Sequence, residues 1–367
     1  MENNKTRTIL TIAVLGIFLA VFTLWTVFKP ADAASDAERR SLAQLPALTG
    51  QSLLSGTFAD RFEDYATDQF PQRDEFRTLK ALTATGLLRQ RDNNGLYRVG
   101  DHLAKLEYPM NTASLDHAAE RFRYLYEAYL KDAGSRVYLS LIPDKNYFMA
   151  APNGYPSIDY EQFAEELQSR TGYMQYIDIF DLLELEDYYR TDAHWRQEKI
   201  LDVAARLAGG MGVELTGSYT RKTLEKPFYG VYYGQAALPI APEEMNYLTG
   251  GAIDTAAVYN YETDTEGGIY DAEKATGRDP YEMFLSGSVS LLRIENPQNT
   301  SGRRLVIFRD SFGSSIAPLL VEGYSSVTLV DIRYLASSRL GGFVDFTGCD
   351  VLFLYSAGVL NNSSTLK

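Results

Sequence analysis

The chain has 367 residues, a formal charge of −13 at pH 7 and 45% hydrophobic residues. That length and apolar content suffice for one large α/β domain, and the acidic balance argues against nucleic acid, because a backbone binder needs a positive field. The single cysteine, Cys349, excludes an intrachain disulfide.

Residues 1–7 carry Lys5 and Arg7 and read as a cytoplasmic tail. Residues 8–28 carry no charge. At 1.5 Å rise they span roughly 32 Å, about the thickness of a hydrocarbon core. The basic flank favours a cytoplasmic N-terminus, Trp25 suits the outer interface, and Pro30 stops the helix. A transmembrane signal anchor is expected, with one pass and an extracytoplasmic C-terminal domain. The small-residue pattern Ala31-Asp32-Ala33 also offers a cleavage site, and cleavage near Ala33 would give a secreted protein.

Residues 29–50 read as a linker and 51–367 as the extracytoplasmic domain. Phe58, Phe62, Tyr65 and Phe70 recur at helical spacing, and a second helix follows Pro71. Asn94-Gly95 and Gly100-Asp101 mark a short hairpin over 93–107. The spacing of Phe122, Leu125, Tyr126 and Tyr129 predicts a helix over 113–131. RVYLSLIPDK (136–145) reads as a buried strand, a helix follows near 160–170, and MQYIDIFDLL (174–183) reads as a second strand. A helix is expected over 195–212, ending at Gly209-Gly210. Residues 213–300 are rich in Tyr, Gly, Thr and Asp in short alternating runs, which suggests a β-rich insertion. Buried strands return at 303–311, 325–335 and 350–358, with a helix between the first two. Strands alternating with helices imply a doubly wound, mostly parallel sheet. Ligands of such sheets bind at the carboxyl ends of strands. Lys145, the pair Asp310-Ser311, and the pair Asp331/Arg333 all fall at such ends.

The chain has three histidines, His102, His117 and His194, so a histidine base has few options. His194 stands two residues after Asp192, in YYRTDAHWRQ, just before a helix. A turn here can bring both side chains into one pocket, with Asp192 fixing the imidazole tautomer. Ser311 follows a buried strand and precedes Gly313 and a helix, a position that exposes a nucleophile and sets backbone N–H groups beside it. The roles follow Asp–His–Ser logic. The same residues also read as a capping Asp192 and an N-cap Ser311. A metal would need ligands beyond the Asp–His pair, and no further His or Cys lies nearby in sequence, so neither metal nor cofactor is expected.

These motifs resemble the DHHW family of bacterial proteins, similar to the SGNH-hydrolase-like domain of the alginate O-acetyltransferase proteins (AlgX/AlgJ type). The resemblance covers most of the chain. It rests on ERRSLAQLP (38–46), GTFADRFEDYATDQFPQRDEF (56–76), NGLYRVGDHL (94–103), YYRTDAHW (188–195), FLSGS (284–288), FRDSFGSSIAPLL (308–320) and VDIRYL (330–335). It implies an SGNH-hydrolase-like fold and a catalytic set mapping onto Asp192, His194 and Ser311. It makes Arg333 and Tyr355 candidates for steadying acetyl or sugar, with an ion pair to Asp331 as the structural alternative for Arg333. Lys145 is placed near the site without a role. Three departures stand out: Ala193 at the motif's second position, Gly287-Ser288 where relatives often show Gly-Asn, and a chain end soon after Tyr355, where some relatives carry a carbohydrate-binding module. No asparagine oxyanion donor is expected there, and Gly287 and Ser288 stand as the oxyanion or substrate-binding candidates in its place.

The leading expectation is an O-acetyltransferase acting on an exopolysaccharide or wall polymer through acetyl-Ser311. By family analogy a membrane-bound O-acyltransferase would deliver the acetyl group. An acetylesterase on the same site and a non-catalytic scaffold of a modification complex are the alternatives.

Overall fold

The computed structural model describes residues 2–367. Contacts divide the chain into two compact units, one built from residues up to Asn94 together with Tyr233–Pro239, the other from Gly95–Tyr232 and Ile240–Lys367.

The first unit begins with helix α1 (Glu2–Phe28), which contains the one stretch among the described residues long and apolar enough to cross a membrane, Lys5–Phe28. A two-stranded ribbon of β1 (Ala34–Ser35) and β2 (Arg40–Ser41) follows, then α2 (Gly50–Leu54), α3 (Thr57–Asp68) and α4 (Arg73–Leu82). Thr49 caps α2 reciprocally with Ser52. Little of this unit is buried: α3 has no buried residue and α4 only Ala81. A charge cluster and a set of ring contacts tie it together. Arg40 chelates Asp68, and Glu38 is shared by Arg73 and Arg77.

The second unit is built on an eight-stranded sheet. Its strands are β5 (Arg136–Ile142), β6 (Gln175–Tyr176), β9 (Ala257–Asn260), β10 (Thr265–Gly267), β11 (Leu291–Glu295), β12 (Arg304–Arg309), β13 (Ser326–Val330) and β14 (Asp350–Ser356). The order is β10-β9-β11-β13-β12-β14-β5-β6. From β13 to β6 every pairing is parallel, whereas β11, β9 and β10 extend the other edge antiparallel. Two small hairpins stand apart, β3 (Leu96–Val99) with β4 (His102–Lys105), and β7 (Thr220–Thr223) with β8 (Asn246–Thr249). Residues 213–300 therefore hold one free hairpin and the three antiparallel edge strands, together with helices α9 (Val231–Ala236), α10 (Ala252–Thr255) and α11 (Ala272–Thr276).

The period-2 alternation of the parallel strands explains the two layers. Tyr138, Ile142, Leu305, Ile307, Leu352 and Leu354 face one side, packed with α8 (Leu201–Gly210) and α12 (Gly313–Leu320). Val137, Leu139, Val306, Phe308, Val351 and Phe353 face the other, against α5 (Thr112–Leu125) and α7 (Tyr160–Arg170). Short helices α6 (Asn146–Met149) and α13 (Ala357–Asn361) follow the ends of β5 and β14.

Three expected elements differ. The strand expected over 174–183 is only the two residues of β6. Asp178 accepts from the Phe180 N–H, and this local turn replaces the ladder, although Ile177, Ile179 and Leu183 still enter the core. The helix expected over 195–212 starts as α-helix only at Leu201, because the Tyr188–Trp195 bridge and the Arg196 N–H to Asp187 O bond at 2.7 Å hold the preceding backbone extended, and Gln197–Lys199 make a single tighter turn. The helix over 113–131 runs as α-helix to Leu125 and finishes in a wider turn over Tyr126–Leu130.

Candidate active site

Because β5, β12, β13 and β14 run parallel, their carboxyl ends share one edge. A cavity of about 290 Å³ opens there, lined by residues just past each end: Asp144 and Lys145, Ser311 and Phe312, Arg333, and Ser356 with Gly358.

Ser311 sits in the turn between β12 and α12. Asp310 builds that turn. Its Oδ1 accepts from the Phe312 N–H at 3.0 Å, and its Oδ2 accepts from the Ser356 N–H and hydroxyl at 2.8 and 2.7 Å, tying β12 to β14. Gly313 is required next: a Cβ there would lie 2.6 Å from Arg309 Cβ. The N–H groups of Phe312, Gly313 and Ser314 are engaged by Asp310 and Ser311. Among the described residues the Ser311 N–H makes no hydrogen bond, which leaves it as the backbone donor for an acyl oxygen.

Asp192 and His194 come from a short turn closed by the Tyr188–Trp195 bridge and by Tyr189 N–H to His194 O at 3.0 Å. His194 Nδ1 lies 2.6 Å from Asp192 Oδ1, and Nε2 lies 2.7 Å from Ser311 Oγ. An ionised carboxylate only accepts, so Nδ1 carries the hydrogen and Nε2 is free to accept from the serine hydroxyl. The imidazole stacks on Tyr281 with ring centroids 3.9 Å apart and 12° between planes. The Tyr281 hydroxyl meets Ser315 at 2.9 Å, and burial pushes its ionisation far above the ordinary phenol range. Trp195 is fully buried and donates to Ser315 Oγ at 2.9 Å, while Gln197 donates to Ser315 O at 3.0 Å. The motif tryptophan thus fixes the histidine turn against the helix that follows the serine. His102 lies on β4, and His117 on α5 contacts Ser363 at 3.2 Å; neither lines the cavity.

No protein-family model and no curated protein matches the sequence. Solved structures do match. The chain shares its fold with a DHHW family protein. That crystal structure, from Eubacterium siraeum, aligns over 75% of this chain and 95% of its own at 20% identity, with a TM-score of 0.61. Bacillus cereus PatB1, solved with a sulfonyl adduct, aligns over 72% of this chain and 97% of its own at 17% identity and a TM-score of 0.55. The O-acetyltransferase domain of Pseudomonas putida AlgJ aligns over 73% and 92% at 12% identity and 0.46. At these identities the likeness is one of fold.

The remaining sequence candidates separate. Lys145 lies beneath the histidine turn, almost wholly buried, and its Nζ donates to the carbonyls of Tyr189 and Arg190 at 3.0 and 3.1 Å. Burial depresses its pKa to about 7, with Asp192, Glu243 and Asp144 opposing. Arg333 lines the cavity and clamps Asp331 through Nε and Nη2 at 2.9 and 2.6 Å; its Nη1 makes no hydrogen bond among the described residues. Burial opposes its charge, but the Asp331 hydrogen bond and charge win and hold it above the usual guanidinium range. Tyr355 is fully buried, its ring 5.3 Å from that of Phe122, and it does not line the cavity. Its strand parity sends it to the α5 face. Ser288 is exposed, and neither it nor Gly287 lines the cavity. The Gly287 carbonyl instead faces Arg309 Nη2 at 3.4 Å. Among the described residues no cluster suits a metal ion.

Two supports escaped the sequence. Glu243 accepts from the N–H groups of Arg190 and Thr191 at 3.0 and 3.1 Å and from Arg196 at 2.5 Å, gripping the whole turn. Gly230 packs so closely that a Cβ would lie 2.2 Å from Thr191 O, which lets Val231 N–H reach Asp192 Oδ2 at 2.8 Å. Each lies about 40 or more residues from the turn it holds, so no local pattern marks it; the FYGVYYG spelling is the one available hint for Gly230.

Proposed function

We propose that this protein is a membrane-anchored, extracytoplasmic O-acetyltransferase that works through an acetyl-Ser311 intermediate. The observation that carries the reading is the continuous line from Asp192 through His194 to Ser311, opening into the strand-end cavity. Ser311 Oγ attacks the acetyl carbonyl carbon while His194 Nε2 takes the hydroxyl proton. The Ser311 N–H and Arg333 Nη1 are the donors left for the oxyanion. Collapse expels the donor's alkoxide, which takes the proton from His194. An acceptor hydroxyl then gives its proton to His194 and attacks the acetyl-serine, releasing Ser311 and the new ester. Asp192 stabilises the imidazolium in both halves.

A sugar hydroxyl of an extracellular polysaccharide or wall polymer is the acceptor we favour. The motifs that resemble those of the alginate O-acetyltransferase proteins support this preference. The α1 helix serves as the anchor, N-terminus inside, and a membrane-bound O-acyltransferase is the natural source of acetyl groups across a bilayer.

The test uses the full-length protein in detergent with p-nitrophenyl acetate, with and without an oligosaccharide acceptor, beside Ser311→Ala. A mass gain of about 42 Da on the wild type and none on the variant is expected, as a serine acyl intermediate requires. Acetylated oligosaccharide establishes transfer, and acetate alone reassigns the site to an esterase. Equal behaviour of two folded proteins would leave only a scaffold role.

A further inference from the structure

The first unit exposes an apolar surface that its charge cluster does not use. On α3 the rings of Phe58, Phe62 and Tyr65 form one stripe at helical spacing, with centroids 5.8 and 6.0 Å apart. On α4 Phe76, Leu79 and Leu82 recur every three residues, and Leu79 is 59% exposed. Leu87, just beyond α4, is 77% exposed. Exposed large apolar residues repeating at helical spacing mark helix faces with an apolar partner.

The anchor indicates which partner. Phe22 of α1 stacks on Phe70 at 5.2 Å with 3° between planes, and Phe76 meets both rings edge-on at 5.7 and 5.5 Å. Phe22 lies inside the apolar run, six residues before the end of α1 at Phe28. At 1.5 Å per residue that is about 9 Å below the helix end. An interfacial helix buries its apolar face roughly 5–10 Å into the headgroup and acyl boundary. The depth of the ring contact and the depth of an interfacial helix therefore agree.

We propose that α3 and α4 lie on the outer leaflet of the bilayer, with the Phe62/Leu79/Leu82 surface in contact with lipid. This rests on reading α1 as an uncleaved anchor. The attraction is apolar rather than electrostatic: Arg73 and Arg77 are committed to Glu38, and the chain as a whole is strongly acidic. Contact should therefore not require anionic lipid.

The experiment places single thiols in the full-length chain by Phe62→Cys, Leu79→Cys, Val14→Cys and Asp64→Cys, each carrying a fluorophore. The native Cys349 is buried away from the reagent. The proteins are reconstituted in phosphatidylcholine vesicles, with and without phosphatidylglycerol, containing nitroxide-labelled lipid. Labels at 62 and 79 should lose about half their emission or more to a nitroxide near the headgroups, equally in both lipids, while the exposed label at 64 keeps most of its emission. Quenching at 14 by a mid-chain nitroxide reports the anchor separately. Quenching at 14 with none at 62 and 79 overturns the proposal and leaves the anchor intact. No quenching at 14 removes the anchor and this inference with it. Protection of 62 and 79 in detergent, accompanied by crosslinking between copies, assigns the surface to a second copy and overturns the lipid contact.

Discussion

The two units use hydrophobic residues in opposite ways. In the second, strand parity sends every large apolar side chain of β5, β12 and β14 into one of two layers, and side chains such as Trp195, Phe308 and Phe122 are wholly buried. In the first, α3 buries nothing, and residues such as Phe62, Leu79 and Leu82 stay exposed around an arginine–carboxylate cluster. The first arrangement makes a scaffold stiff enough to hold Asp192, His194 and Ser311 in hydrogen-bond register. The second makes a surface that needs another apolar phase. The contrast suggests that precision sits in the second unit and placement in the first.

Changes in the reacting line should separate these roles most sharply. Ser311→Ala should lower acetyl turnover by about 10⁴-fold or more with little change in melting temperature, measured by product release and calorimetry. Asp192→Asn keeps the shape but loses the charge that fixes the tautomer, and a fall of about 10³–10⁴-fold in kcat is expected. A loss under tenfold would mean that Asp192 only shapes the turn. Gly230→Ala pushes a methyl against Thr191 O and should cost about 1–3 kcal/mol in denaturant unfolding and reduce kcat along with it. Stability falling without activity would uncouple this glycine from the site.

Lys145 gives a pH-dependent test. Burial lowers its folded pKa from 10.5 to about 7. Between those values the unfolded chain binds a proton that the folded chain does not, so this group makes stability rise as pH climbs from about 7 toward 10.5, with no contribution to the slope below 7. Lys145→Met should flatten that rise in melts taken across the window; an unchanged slope would show that the ammonium is solvated. The smallest effect belongs to the first unit. Leu82→Gln should shift unfolding in detergent by under about 0.5 kcal/mol, since the side chain has little to lose. A shift several times larger would mean that the surface is packed rather than presented.

The sequence was most informative where one residue's chemistry is rare. With three histidines in the chain, Asp192-X-His194 and the strand-end Ser311 were legible, and the structure brings the three side chains together. Arg333 was read either as a substrate contact or, alternatively, as an ion-pair partner of Asp331; it clamps Asp331 and also lines the cavity. Gly287 and Ser288 were not legible in the same way. Their loop ends beside Arg309 rather than the cavity, because the buried guanidinium takes the carbonyls of Gly287 and Val289. Tyr355, a candidate through the resemblance, lies on the α5 face, because the alternation along β14 turns it away from the cavity.

What the sequence alone determined was periodic or compositional: the apolar N-terminal run, the alternation that makes the buried strands, and the residue types able to pass a proton to one another. Those properties follow from local stereochemistry and side-chain chemistry, which travel with the residue. Tertiary structure alone decided which distant groups hold the histidine turn. Glu243, Gly230 and Ser315 act through backbone N–H groups, close approach and a shared hydroxyl. Such contacts depend on distances between segments far apart in the chain, and those distances exist only once the sheet has brought its strand ends together.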